Sequence, residues 1–211
     1  EKDLLAAEIK TDCLKKGMLA IRLKFPYPTG NWGGDASDWG KPDFHHSEIV
    51  ELKKNSAIVV HSIDSSTYFV QITWVGEAQI STKEAHYFVL QPGSESSQFS
   101  FSVEFKAKND FTRGDKFKEA QELSAQAWQN FWQSGGAVDF SGTADPHAFE
   151  LERRVVLSQY LTRIQCAGHI PPQETGLTYN SWYGKPHLEM HWWHGVHFAY
   201  WKRTELLEKS L

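Results

Sequence analysis

The chain has 211 residues, a formal net charge of −4 at pH 7, 23% charged and 40% hydrophobic residues. That balance excludes a long disordered chain, the lack of a basic run disfavours a nucleic-acid platform, and no apolar stretch reaches the roughly 18–20 residues of a membrane span. Two cysteines, Cys13 and Cys166, cannot make a disulfide framework, whereas 13 Phe, 9 Trp and 7 Tyr point to a large core or to stacking platforms.

In chain order, residues up to about 110 read as β. Leu19 to Phe25 alternates apolar and charged residues, the period of a half-buried strand. Ala57 to Ile63 is β-branched, and Tyr68 to Val75 is a strong run ended by Gly76. Glu84 to Leu90 and Phe99 to Lys106 follow, the latter with apolar residues at Phe99, Phe101, Val103 and Phe105. Strands joined by short turns, with no helical pattern between them, favour an antiparallel β-sandwich. Pro26 to Ser47 interrupts the rhythm as a Gly- and Pro-rich loop of about 20 residues carrying Tyr27, Trp32 and Trp39. It either packs on its own domain or reaches a neighbouring ligand site.

From about Asp115 the period becomes helical. Lys116 to Gln133 spaces Phe117, Ala120, Leu123, Ala127, Trp128, Phe131 and Trp132 by three and four, and Gly135-Gly136 stops it. Asp145-Pro146 reads as a helix start, with the Asp accepting free amide hydrogens. That helix runs to about Ala167 with Leu151, Val155, Leu157, Tyr160, Leu161 and Ile164 on a broad apolar face, before Gly168 and Pro171-Pro172. Gln173 to Lys185 is irregular. A third helix is expected to begin between Pro186 and Trp192 and to continue to about Lys209. The chain opens without an initiator Met and closes on this charged stretch without a Gly or Pro stop, so it is expected to be processed or cut from a longer polypeptide.

The chemistry is densest between Gln173 and Trp201, which holds four of the ten histidines. Three readings fit. His187, His191 and His194 share a helix face at i, i+4 and i+7, a spacing able to ligate zinc, although the His-Glu-x-x-His order of zinc peptidases is absent. A helix apolar nearly all round is also simply a buried one, with its histidines hydrogen-bonded. The third is a carbohydrate site. Trp182, Tyr183, Trp192 and Trp193 would stack on the C–H faces of a sugar, and Glu174, Asn180, Lys185, His187, Glu189 and His191 would meet its hydroxyls.

The segments Leu151-Glu-Arg-Arg-Val-Val-Leu-Ser-Gln-Tyr-Leu, Gly176-Leu-Thr-Tyr-Asn-Ser-Trp-Tyr-Gly-Lys and His187-Leu-Glu-Met-His-Trp-Trp-His resemble bacterial six-hairpin glycosidases, distantly related to glycoside hydrolase family 65. The resemblance implies an N-terminal β-sandwich, a helical linker and an (α/α)6 barrel. In that family an early barrel segment ends in a Phe-Trp-Asp-Thr-Glu motif that holds the sugar beside the cleaved bond. Here Leu188 falls on the Trp, Glu189 on the Asp and His191 on the Glu, a departure that keeps one carboxylate and points away from maltose-type phosphorylases. The resemblance also implies that Trp32, Asp35 and Trp39 of the long loop reach the barrel mouth.

A twelve-helix barrel needs on the order of 200 residues, and the stretch after Asp115 supplies about half of that. The expected organisation is therefore α+β: a β-sandwich over 1–112, a helical linker over 113–145 and the first helices of an (α/α)6 barrel over 146–211. The expected function is the N-terminal portion of a glycoside hydrolase acting on an oligosaccharide, inactive alone because the general acid lies on a later helix. The alternative is a non-catalytic carbohydrate-binding or interaction module. No catalytic residue, metal ligand or cofactor is assigned. An oligosaccharide is the expected partner, with no nucleic acid or membrane, and a second copy or the rest of the barrel would cover the exposed helix faces. The expected location is periplasmic or secreted. Cys13 and Cys166 lie in different halves and are not expected to bridge.

Overall fold

A computed structural model of the chain describes residues 2–34, 37–112, 116–175 and 185–211. Eight strands are named in order: β1 (Asp3–Lys10), β2 (Ile21–Lys24), β3 (His45–Lys53), β4 (Ser56–Ile63), β5 (Ser66–Val75), β6 (Ala78–Glu84), β7 (Tyr87–Pro92) and β8 (Gln98–Lys106). They form two antiparallel sheets, a five-stranded one ordered β1-β8-β5-β4-β3 and a three-stranded one ordered β2-β7-β6. Four helices follow, making the fold α+β: α1 (Phe117–Gln133), α2 (Ala148–Cys166), α3 (Leu188–Tyr200) and α4 (Thr204–Glu208).

Side-chain alternation explains the sheets. Ala57 and Val59 on β4, Val70 and Ile72 on β5 and Val103 on β8 turn inward from the larger sheet. Phe88 and Leu90 on β7 come from the smaller one, and all join a single core with Leu14 and Phe25. Burial of each of the larger side chains is worth about 1.5–3 kcal/mol, which holds the two sheets face to face.

Three strands escaped the sequence reading. β1 is rich in Leu, Ala and Glu, a helix-forming composition, and is a strand because it lines up with β8 from Asp3 opposite Phe105 to Lys10 opposite Gln98. β6 carries one large apolar residue, Ile80, and gains its structure by pairing with β7. β3 takes the last residues of the expected loop, His45 to Ser47, because they pair with Ile63 to His61 on β4. Within the rest of that loop, Tyr27 and Asp38 form an isolated antiparallel bridge, and Pro42–Phe44 is a short 3-10 turn.

The chain separates into two compact units. One comprises Glu1–Thr29 and Ser37–Ala125, the other Gly30–Ala36 and Gln126–Leu211. The division falls within α1, where the sequence suggested boundaries at 112 and 145. The second unit has its own core of Phe131, Cys166, Ala167, Phe198 and Leu206. The expected start at Asp145-Pro146 is displaced: α2 is capped at His147 without a side-chain cap bond and Pro146 lies before the helix, while the Asp145 carboxylate accepts from the His147 amide at 2.8 Å.

The last expected helix is broken. After α3, Lys202 adopts a left-handed φ of 58°. The Arg203 amide then donates to the Phe198 carbonyl at 2.7 Å and the Lys202 amide to that of Ala199 at 3.0 Å. This pair of bonds is a Schellman termination, usually built on Gly. Periodicity alone runs through it, because Lys at that position gives no stop signal. The reason for the break is the Arg203 side chain, which is 1% exposed and turned into the core.

Gly135 ends α1 with φ 67°, and a Cβ there would stand 2.3 Å from the Trp201 carbonyl oxygen. Gly135→Ala therefore combines strain with a backbone clash and is expected to destabilise the helical unit by more than about 1 kcal/mol. Lys202→Gly relieves a left-handed residue and is expected to stabilise by up to about 1 kcal/mol. Urea unfolding of the full chain followed by far-UV circular dichroism reads both.

Both cysteines are free thiols. Cys13 is exposed, while burial pushes the Cys166 thiol up to about 11. Because the thiolate is the reactive form, a thiol reagent at pH 8 is expected to label Cys13 in the native protein and Cys166 only after denaturation, read by mass spectrometry of tryptic peptides.

Candidate functional site

Helix α3 has two chemically different faces. Gly195 and Phe198 are buried, with His191 and His194 on the same stripe at i, i+3, i+4 and i+7. Trp192 and Trp193 point the other way and are each 61% exposed. Glu189 precedes them by three and four residues, so its exposed carboxylate shares their face. A negative acceptor beside two indoles is a surface able to stack on an apolar ring face while accepting hydrogen bonds from hydroxyls at its edge.

The inner histidines are committed to the fold. The Glu174 carbonyl can only accept, so His194 donates to it through Nε2–H at 2.7 Å. Ser210 Oγ gives its one proton to the Leu207 carbonyl at 3.1 Å and therefore accepts from His191 Nε2–H at 2.7 Å. His191 thus secures the end of the chain, and Glu174 contributes its backbone to holding α3. His187 Nε2 lies 4.0 Å from Glu189 Oε2 at the first turn. The structure does not gather His187, His191 and His194 as a zinc set: His191 and His194 spend Nε2 on oxygen partners, and the three are not among the converging His/Cys/Asp/Glu groups of the described residues.

The long loop is divided between the units. Trp39 stays with the strands, where the Lys24 ammonium lies 5.2 Å from its ring centroid. Trp32 belongs to the helical unit, and Lys185 holds it there: Lys185 Nζ donates to the Trp32 carbonyl at 2.8 Å and to the Asn31 carbonyl. The Trp32 indole itself is left 79% exposed. Lys185, read from the sequence as a hydroxyl ligand, is thus a clamp on the backbone of a second indole-bearing segment. Asp35, Trp182 and Tyr183 lie outside the described residues.

Helix α2 is apolar on several sides and hollow beside two of them. A groove of about 550 Å³ is lined by its Val155, Ser158, Gln159 and Thr162 together with Phe198 and Arg203. A second, of about 430 Å³, lies along Trp132, Phe149, Val156, Leu157 and Tyr160. Leu151, Leu157, Tyr160, Leu161 and Ile164 all remain exposed. Gln159 and Arg203 are buried polar groups of the first groove, and neither was legible as such. Gln159 is a polar residue in an apolar helix, and Arg203 sits in a charged stretch that reads as solvated.

The carboxyls that shift do so downward. Hydrogen bonds from Arg153 and then Arg154 hold Glu150 at about 2, and Glu8 and Asp139 are lowered by Lys10 and by the Ser141 amide. That is the wrong direction for a general acid, which must hold its proton near neutral pH. No family model matches the chain, and no curated protein and no solved structure is similar to it. Among the described residues, no helix is long and apolar enough to cross a membrane.

Lys185→Met removes the donor that pins residues 31 and 32. Amide exchange of Gly34, whose N–H is bonded to the Asn31 carbonyl at 3.0 Å, is expected to quicken several-fold while exchange in β4 and β5 stays unchanged, as read by hydrogen–deuterium exchange mass spectrometry.

Proposed function

We propose that this chain is the N-terminal portion of a glycoside hydrolase of the (α/α)6 class, supplying a β-sandwich, a helical linker, the first barrel helices and part of an oligosaccharide subsite. The observation that carries the reading is the outer face of α3, where Glu189, Trp192 and Trp193 stand together in solvent at the segment that resembles six-hairpin glycosidases. The clamped Trp32 segment in the same unit adds a further exposed indole. The exposed apolar sides of α2 suit a helix meant to be covered by further barrel helices or by a second copy. Export to the periplasm or beyond fits an enzyme that meets oligosaccharides outside the cell.

Inverting hydrolysis requires two carboxyl groups roughly 6.5–9.5 Å apart, one of them protonated. The downward shifts of Glu150, Glu8 and Asp139 suit none of them to donating that proton. As the resemblance implies, the proposal places the acid and base on later barrel helices. The same observation favours the second reading, a carbohydrate-binding module without chemistry of its own.

Titration of the 211-residue chain with neutral oligosaccharides, followed by tryptophan fluorescence, tests the shared part of both readings. Trp192→Ala and Trp193→Ala are each expected to weaken binding by about 1–1.5 kcal/mol, near tenfold in Kd. Glycosidase assay beside the full product of the gene separates the two: hydrolysis by the longer protein alone supports the enzyme. Turnover by this chain alone sinks the division of labour, and affinities untouched by either substitution sink the sugar site.

A further inference from the structure

The strand unit contains a cluster of a different kind. His45 opens β3, His61 lies in β4, and His86 sits in the short turn between β6 and β7. One ligand-capable atom from each of the three rings lies within 4.8 Å of the others. His45 and His86 stack with centroids 3.6 Å apart, and His61 meets His45 edge-on at 5.2 Å. His61 is completely buried and His86 nearly so. Two of these residues belong to the five-stranded sheet, and the third to the turn of the three-stranded one.

The hydrogen bonds determine where the protons are. The Pro42 carbonyl accepts from His86, so His86 carries its proton on Nε2, 2.7 Å away. Its Nδ1 is then an acceptor and receives the Ser47 hydroxyl proton at 2.8 Å. Ser47 has no second proton to give, so it accepts from His61 Nδ1–H at 2.6 Å. His61 Nε2 is thereby left with a bare lone pair, buried and without a partner, and His45 Nδ1 is also buried without one. An unmet buried polar atom destabilises the fold, and the two hydrogen bonds of the chain fix this one on the ring's buried side. Burial, then the neighbouring His45 and His86, push the His61 imidazole down to about 4, so the ring is neutral at pH 7. His86 holds its place at a left-handed φ of 58°, a conformation that Gly or Asn would adopt more easily.

We propose that His45, His61 and His86 form a three-imidazole site for a divalent first-row transition ion of the zinc type, which ties the two β-sheets together. Neutral imidazole nitrogens are the ligands such ions take. His61 Nδ1–H on Ser47 and His86 Nε2–H on Pro42 are the outer contacts that fix the tautomer and orientation of metal-bound histidines. Tetrahedral bonds of about 2.0–2.1 Å place nitrogens roughly 3.3 Å apart, so the rings close in by about an ångström or more from their present spread. His86 Nδ1 exchanges the Ser47 proton for the ion, while the Pro42 and His61 contacts persist. The site is independent of the α3 face, and its failure leaves the sugar reading untouched.

The experiment uses the full chain, stripped with a chelator and titrated with zinc chloride, with magnesium chloride as control. One zinc per chain by elemental analysis and calorimetry, with a rise in the unfolding midpoint of the strand unit, is the expected result. His45→Gln and His61→Gln are expected to abolish the zinc-dependent rise, whereas His46→Gln next to the cluster, and His187→Gln on α3, leave it intact. Should a cluster variant misfold, X-ray absorption of the zinc-loaded wild type decides, three imidazoles being the expected shell. Failure to bind zinc at micromolar concentration, or binding that the cluster variants retain, overturns the site.

Discussion

A buried guanidinium organises the helical unit. When α1 stops at Gly135, the Phe131 and Gly136 carbonyls have lost the helix that would have satisfied them. Arg203 reaches both: Nε and Nη2 lie 3.2 and 3.1 Å from the Phe131 oxygen, and Nη2 is 3.3 Å from that of Gly136. Nη1 donates to Gln159 of α2 at 2.8 Å, and the cation lies 4.1 Å from the Phe131 ring centroid. Its hydrogen-bond acceptors among the described residues are neutral, so the desolvation of the charge is offset by hydrogen bonds and a ring face, with the Glu205 carboxylate adding a favourable charge. The backbone amide of the same residue terminates α3 on Phe198. One side chain and its amide thus couple α1, α2 and α3.

The orientation of α3 follows from that packing. Phe198 and Gly195 face the core, and a Cβ on Gly195 would come within 2.6 Å of Leu207 Cδ1, so α4 rests against the helix where it has no side chain. With the inner stripe occupied, the adjacent indoles have only solvent left to face. The aromatic character of α3 is therefore divided between core and surface, and the outward part is the proposed sugar platform.

Histidine plays two roles in this chain, separated by what each ring nitrogen meets. On α3, His191 and His194 donate to a hydroxyl and a carbonyl and are satisfied. In the strand unit, Ser47 has one proton for two rings, and the arithmetic leaves the His61 Nε2 lone pair bare inside a protein core. The first arrangement is complete as it stands, and the second leaves buried ring nitrogens without a hydrogen-bond partner.

What the amino-acid order determined by itself was local. The alternation of Tyr68 to Val75 and Phe99 to Lys106, the three-and-four spacing of α1, and the Gly135-Gly136 stop are all properties of neighbouring residues, and the structure follows them. Long-range pairing decided the rest. β1 and β6 are strands because β8 and β7 offer them a register, and His45, His61 and His86 converge because β3 pairs with β4 and the β6–β7 turn packs against them, joining segments up to 41 positions apart in the chain. The break at Lys202 belongs to the same class, since Lys has no intrinsic reason to end a helix. It does so because burying Arg203 against Phe131 and Gln159 stabilises the unit by more than a left-handed residue costs, and that gain exists only once the helices have come together.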